Sequence, residues 1–252
     1  MNKYLKNLNR IEYIITLACT GRCKHCSEGD HKGSGESIDK DAAVTALRKV
    51  AQAYPIKTVM TFGGEPLLYP ETVFAIHAAA RDLNIPHRQI ITNGFFSKDH
   101  EKICSAAKGL AESGVNDVLL SVDAFHQETI PLEPVKVFAQ TVRNAGVPIR
   151  TQPAWLVSVD ADNPYNTKTR EILAEFRDLG IEPNDGNVIF PSGNAIKYLS
   201  EYFDPDNPIS DPYIEDEYDV RSLSFSENGD VLGGNIYKQD IYDIIKNYKP
   251  TK

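Results

Sequence analysis

Cys19, Cys23 and Cys26 are the residues of this chain whose types and spacing are best suited to shared chemistry. They are three of only four cysteines, and the fourth, Cys104, stands alone far downstream. Thiolates this close in sequence bind zinc or an iron–sulfur cluster. A structural zinc site usually draws four ligands from two close pairs, and here there is one triplet and no second pair. A 4Fe-4S cluster held by three cysteines would leave one iron without a protein ligand, an open position where chemistry can occur. The spacing also departs from the ferredoxin patterns, which need a fourth cysteine.

The segments around the triplet must position it. Ile11–Leu17 is a strand-like apolar run that leads straight into Cys19. Asp39 reads as the N-cap of a helix whose apolar face is Ala43, Leu47, Val50 and Tyr54, with Ile38 and Ala43 placed as a hydrophobic staple. The cycle then repeats. Lys57–Phe62 is a second strand ending in Gly63-Gly64-Glu65-Pro66, and Pro70 opens a helix with Val73, Ile76, Ala80 and Leu83 on one face. Gln89–Thr92 is a third strand, followed by Asn93-Gly94 and a helix capped by Ser97. Asp117–Val122 is a fourth, of the continuous apolar kind buried on both faces, and Val135–Ala145 is the helix after it. Val147–Gln152 is a fifth strand, weakened by Pro153, which lacks a ladder donor. A helix over Ile172, Phe176 and Leu179 and a sixth strand, Asn187–Phe190, complete the series. Six strand–helix alternations predict an α/β fold with a parallel sheet, open or curled into a partial barrel.

Beyond residue 190 the character changes. From Asp204 to Asp219 there are seven acidic residues, three prolines and no Lys or Arg, the composition of an irregular surface segment. Arg221–Ser226 alternates as a strand, Glu227-Asn228-Gly229-Asp230 is a turn, and Val231-Leu232 is expected to return as a hairpin before a helix over Asp240–Tyr248. Residues 1–190 therefore read as the main domain and 191–252 as an extension that covers it.

Composition narrows the function. With 27 Lys and Arg against 35 Asp and Glu, the chain lacks the basic footprint of nucleic-acid or membrane-surface binding. No run approaches the roughly 20 apolar residues of a membrane span, and the N-terminus lacks a secretory signal. Clustered cysteines point to a reducing compartment, the cytoplasm. The one local basic cluster, Arg22, Lys24, His25, His31 and Lys32, reads as a solvated loop or as positive potential beside an anionic group.

In parallel α/β folds, sites form at the C-terminal ends of strands. Here those ends carry the cysteines, Gly63-Gly64-Glu65-Pro66, Thr92-Asn93-Gly94, Ser121-Val122-Asp123 and Arg150 with Gln152. Cys19-x3-Cys23-x2-Cys26 after the first strand, with Gly63-Gly64-Glu65-Pro66 after the second, resembles the signature of the radical S-adenosylmethionine (radical SAM) superfamily. The resemblance implies a partial (β/α)6 barrel with a C-terminal hairpin-and-helix extension. It implies one 4Fe-4S cluster on Cys19, Cys23 and Cys26, whose fourth iron is chelated by SAM. Reductive cleavage of SAM would then give a 5′-deoxyadenosyl radical that abstracts hydrogen from a substrate. It further implies SAM contacts from the Gly63, Gly64, Glu65 and Pro66 stretch, from Asn93, Ser121, Asp123 and Gln152, and from His25 near the adenine.

The tail is similar to SPASM or twitch extensions, but no cysteine follows Cys104, so a second cluster is not expected. Such tails suggest a ribosomally made peptide as substrate. A small metabolite stays open, because little chain precedes Ile11 to serve as a peptide-recognition domain. A flavodoxin- or ferredoxin-type donor would supply the electron. The alternatives are a glycyl-radical-enzyme activase, against which stands the lack of an Asn-Gly-Pro-Gly approach to the cluster, and a non-catalytic iron–sulfur electron-transfer protein. Cys104 reads as a small packed residue on an outer helix, and His126 as a loop histidine or a substrate contact.

Overall fold

The computed structural model describes residues 2–30 and 35–251; His31 and Lys32 of the basic cluster lie outside them. After a 3-10 turn over Lys3–Leu5 come strand β1 (Arg10–Ile14), α1 (Lys40–Ala53), β2 (Thr58–Phe62), α2 (Pro70–Asp82), β3 (His87–Thr92), α3 (His100–Ser113) and β4 (Asp117–Leu120). A single-turn α4 (Ala124–Gln127) precedes α5 (Leu132–Asn144), β5 (Ile149–Thr151), β6 (Ala154–Trp155), α6 (Pro164–Asp178), β7 (Asn187–Val188) and a short α7 (Gly193–Tyr198). The tail holds β8 (Ser222–Phe225), β9 (Asp230–Val231), β10 (Gly234–Asn235) and α8 (Ile241–Asn247).

Local chemistry sets most helix starts. The Asp39 carboxylate accepts the Ala42 N–H at the head of α1, and Pro70 occupies the first turn of α2, where its missing N–H costs nothing. At α3 the cap is Asp99, which accepts the Glu101 N–H. Ser97 instead accepts the Asp99 N–H, so the expected cap lies two residues too early. The apolar stripes predicted for α1 and α2 face inward, with Ala43, Leu47, Val50, Val73, Ile76 and Ala80 all buried.

Strands β1 to β5 lie side by side in chain order, every pair parallel. Consecutive crossovers of one hand then stack α1, α2, α3 and α5 along the same face. The series breaks at Pro153. The expected fifth strand, Val147–Gln152, is present as β5; Pro153, which has no N–H to donate, separates it from β6, and β7 pairs with β6 as a separate parallel couple. Between them the chain still runs alongside: the Thr151 N–H donates to Glu182 O at 3.1 Å, and the Asn187 N–H to Pro153 O at 2.9 Å. The sheet thus continues as a curled, partial barrel.

The sixth strand of the main sheet is not the expected 187–190 segment but β8, which pairs parallel to β1 at the opposite edge. Arg221–Ser226 therefore does not form a hairpin with Val231-Leu232; the hairpin is β9 with β10. The reason lies in β1, whose outer edge would otherwise present an unpaired ladder. Leu223 and Phe225 bury on that edge, and Phe225 stacks on Tyr13 with centroids 4.8 Å apart. Helix α8 docks on α1 through the Lys49–Asp240 ion pair and the Tyr242 hydroxyl, which donates to Lys49 O. One large core fills the space between the sheet and these helices, while a smaller one, Phe125, Ala154, Leu156, Ile189, Ala195 and Leu199, lies under β6, β7 and α7.

Candidate active site

At the C-terminal ends of the strands lies a cavity of about 250 Å³. Cys19, Cys23 and Cys26 all line it, and none is in a disulfide among the described residues. The loop that carries them is tied down from three directions. From below, the Gly64 N–H donates to Thr16 O at 2.7 Å and the Glu65 N–H to Ala18 O at 2.8 Å. From the turn after α4, Thr129 Oγ1 accepts the Arg22 N–H at 3.0 Å. From α7, the Asn194 N–H donates to Cys26 O at 2.9 Å and its side-chain amide to Cys23 O at 3.2 Å and Gly29 O at 3.3 Å.

Two glycine sites show how close these approaches are. A Cβ on Gly64 would stand 2.1 Å from Ala18 O, and one on Gly193 would stand 2.5 Å from Cys26 O. Gly63 and Gly193 also have positive φ, 129° and 47°. The glycines after β2 line the cavity, and they also let that strand end press against the cysteine loop.

The other predicted residues divide into two groups. His25, Gly63, Gly64, Asn93, Ser121, Asp123 and Gln152 line the cavity with the cysteines. Glu65, Pro66 and Arg150 do not. Arg150 turns outward to pair with Asp117 at 2.8 Å. Glu65 is fully buried, and its carboxylate accepts the Leu67 N–H, the Thr92 hydroxyl and the Asn93 N–H at 2.8–2.9 Å. Burial pushes its carboxyl up to about 7, against the pull of these donors. Glu65 thereby fixes Asn93, whose amide reaches Cys19 Sγ at 3.6 Å and Thr20 Oγ1 at 3.1 Å.

Asp123 is similarly occupied. It accepts the Phe125, His126 and Ala154 N–H groups and pairs with His126 Nδ1 at 2.8 Å. Burial alone would raise its carboxyl, but His126 and these donors outweigh it and hold the group well below the usual carboxylate range. His126, read from sequence as a loop residue or a substrate contact, lines the cavity beside His25. Gln152 Oε1 accepts the Asn184 side-chain amide at 2.6 Å.

Sequence reasoning missed Asn194, Phe190 and Tyr213. Asn194 is a polar residue in the first turn of the short α7, and Tyr213 lies in the acidic segment, tilted against Phe190 with centroids 6.0 Å apart. Of the basic cluster, Arg22 donates to Cys19 O and Gly21 O, and Lys24 pairs with Glu128. Cys104 sits partly buried on α3, its sulfur 3.5 Å from His100 Nδ1, and takes no part in the cavity.

The donor chemistry suits an iron–sulfur cluster. Desolvation raises all three thiols, Cys19 to about 11, so they stay protonated until a metal binds and displaces the proton. Three thiols and no fourth in the cavity, among the described residues, match a cluster with one iron open to a non-protein ligand.

Comparison with known proteins agrees. The family model of the radical SAM superfamily matches residues 13–152. The GTP 3′,8-cyclase of Chlorobaculum tepidum is 21% identical over 202 residues, covering 76% of this chain and 59% of that protein. That of Picosynechococcus sp. is 26% identical over 155 residues, covering 59% and 43%. The chain thus spans about half the length of the curated relatives it matches. Among solved structures, Streptococcus suis SuiB bound to its precursor peptide SuiA superposes with a TM-score of 0.60 at 14% identity, over 96% of this chain and 65% of that one. AnSMEcpe with bound AdoMet and the Cp18Cys peptide gives 0.59 at 15%, over 95% and 80%. These structures share the fold of a partial barrel. With more than half of its length matched by the family model, the chain belongs to the radical SAM superfamily of enzymes, which work with a 4Fe-4S cluster and S-adenosylmethionine.

Proposed function

We propose that Cys19, Cys23 and Cys26 hold a single cluster, that His25, Gly63, Gly64, Asn93, Ser121 and Gln152 bind SAM, and that the substrate is a peptide or a small metabolite. The chemistry supplied by the bound cofactors is one-electron cleavage of a sulfonium bond to a 5′-deoxyadenosyl radical, the species that takes hydrogen from substrate. The observation that carries this reading is the convergence on one cavity of all three thiols, the glycines after β2 and the polar ends of β3, β4 and β5.

The chain's own residues orient and shield. Glu65 and Asp123 spend their carboxylates on neighbouring donors, so they position Asn93 and His126 rather than meet a ligand themselves. Phe62, Ile91, Pro153, Val188, Ile189 and Phe190 give the cavity apolar walls that exclude water from a reactive centre. Its charged lining groups are Glu28 and Asp123, with no Lys or Arg among the described residues. That charge balance supports a neutral or cationic substrate over a nucleoside triphosphate, which needs cationic partners. We place the protein in a reducing cytoplasm with a flavodoxin or ferredoxin as its donor. Residues 191–252 read as a SPASM- or twitch-like extension without auxiliary clusters, in which β8 also completes the sheet.

The test is anaerobic reconstitution with iron and sulfide, then dithionite and SAM. The expected product is 5′-deoxyadenosine, with deuterium passing into it from a labelled peptide or metabolite substrate. Absence of 5′-deoxyadenosine from fully reconstituted protein would favour a non-catalytic iron–sulfur protein.

A further inference from the structure

Three side chains of the cavity make a second donor set. Ligand atoms of Cys23, His25 and His126 lie within 4.8 Å of one another. The two imidazoles meet edge to face with centroids 4.8 Å apart. His126 Nδ1 is committed to Asp123 Oδ2, which leaves Nε2 as the nitrogen for a ligand. A buried carboxylate behind an imidazole fixes the tautomer and ring orientation that a metal-bound histidine needs. Asp123 cannot swing away, because the Ala154 and Phe125 N–H groups hold its two oxygens. His25 contributes an independent sign: its Nδ1 is buried without a hydrogen-bond partner. Phe125 packs against the His25 ring and is itself stacked on Tyr165, so the constellation is backed by rigid aromatics. One thiolate and two imidazoles, drawn together by about an ångström, supply three of the four ligands of a tetrahedral zinc site.

We propose that the cluster-free protein binds one zinc-class divalent ion through Cys23, His25 and His126, and that this ion and the iron–sulfur cluster exclude each other because both need Cys23. The ion site stands on the geometry above; the exclusion rests on the assignment of Cys23 to the cluster under Proposed function. Nitrogen and sulfur donors favour Zn²⁺ over Fe²⁺. Zinc at this site therefore blocks cluster assembly, and the metal that arrives first decides whether the protein can become active.

Cobalt(II) is the probe, because its absorption reports thiolate ligation and tetrahedral geometry. It is titrated into the full chain, reduced and anaerobic, before and after cluster reconstitution. The expected result is one Co²⁺ per cluster-free chain, displaced by Zn²⁺, with thiolate charge-transfer and tetrahedral d–d bands, and none taken up by the reconstituted protein. His126→Gln and His25→Gln each weaken binding at least about tenfold, and Asp123→Asn about 10–100-fold, while Cys19→Ser leaves it unchanged. Reconstitution of the iron–sulfur spectrum in His126→Gln verifies that this variant is folded, and His25→Gln repeats the measurement on the other imidazole. Binding insensitive to both histidine substitutions, or weakened equally by Cys19→Ser and Cys23→Ser, overturns the site. Uptake of Co²⁺ by the reconstituted protein with its cluster intact overturns the exclusion. Failure of the three-cysteine reading would show separately, as wild-type protein that assembles no cluster in the absence of cobalt.

Discussion

The cysteine loop is held between two regions of unlike construction. On one side stand β1 to β4, consecutive parallel strands with regular crossovers, sharing the large core. On the other stand α4, β6, β7 and α7, short pieces around a core of six buried residues. The first region gives the site its rigid strand ends. The second gives it Asn194, the Phe125–His126 corner and the wall formed by Val188, Ile189 and Phe190. A scaffold needs hydrophobic area, whereas clamping a loop needs a few well-aimed hydrogen bonds, so the second region can shape the site with little core of its own.

Substitutions can break or sharpen this contrast. The largest effect belongs to the loop itself. Replacing Cys19, Cys23 or Cys26 with Ser should abolish the iron–sulfur absorption of reconstituted protein, and Cys104→Ala should leave it intact.

Next comes the regular region, probed where β8 covers its β1 edge. Phe225→Ala removes the ring stacked on Tyr13 and should destabilise the fold by about 3–5 kcal/mol in urea titration. Its cost is global, read in the unfolding midpoint and not in cluster content alone.

In the irregular region the pattern should invert. Asn194→Ala removes the amide donor to Cys23 O and Gly29 O, while Cys23 O keeps the Cys26 N–H at 3.3 Å, a cost of about 0.5–1.5 kcal/mol. Its main readout should be faster cluster loss to a chelator, with a nearly unchanged unfolding midpoint. An equal loss of stability and cluster in both variants would erase the distinction between the regions.

The last effect is one of pH, smallest near neutrality and growing as the pH falls. His77 lies fully buried under the regular sheet, with its Nε2 2.9 Å from Thr61 Oγ1, and desolvation lowers it to about 3. The unfolded histidine, near 6.5, binds its proton first as pH falls. Unfolding therefore takes up a proton between about pH 6.5 and 3, and stability should fall through that window by at most about 1.4 kcal/mol per pH unit. Above pH 6.5 this contribution is complete and flat. His77→Gln should flatten the difference profile in urea titrations across that range.

The same contrast explains what could be read from sequence. Caps, helix stripes and strand runs follow from local periodicity, and so β1 to β4 and their helices stand where Asp39, Pro70 and the apolar runs place them. The Cys19–Cys23–Cys26 spacing and the Gly63-Gly64 pair were legible for the same reason. Placement across long sequence separation was not. No local signal shows that Ser222–Phe225 will pair with β1 and not with its neighbour, or that Asn194 will reach back to Cys23. Glu65 and Asp123 were legible as site residues by position, but only tertiary contacts reveal that both carboxylates are spent on positioning. Pro153 warned of a weak strand; that the chain resumes as β6 and builds a second small sheet depends on packing.

The most direct test of a single cluster with one iron open to SAM is the electron paramagnetic resonance spectrum of reduced, reconstituted Cys104→Ala protein, recorded with and without SAM. The expected result is one reduced 4Fe-4S signal whose g-values shift when SAM is added, because SAM occupies an iron that no cysteine holds. Loss of the signal in Cys104→Ala, or a signal that SAM leaves unchanged, would contradict it.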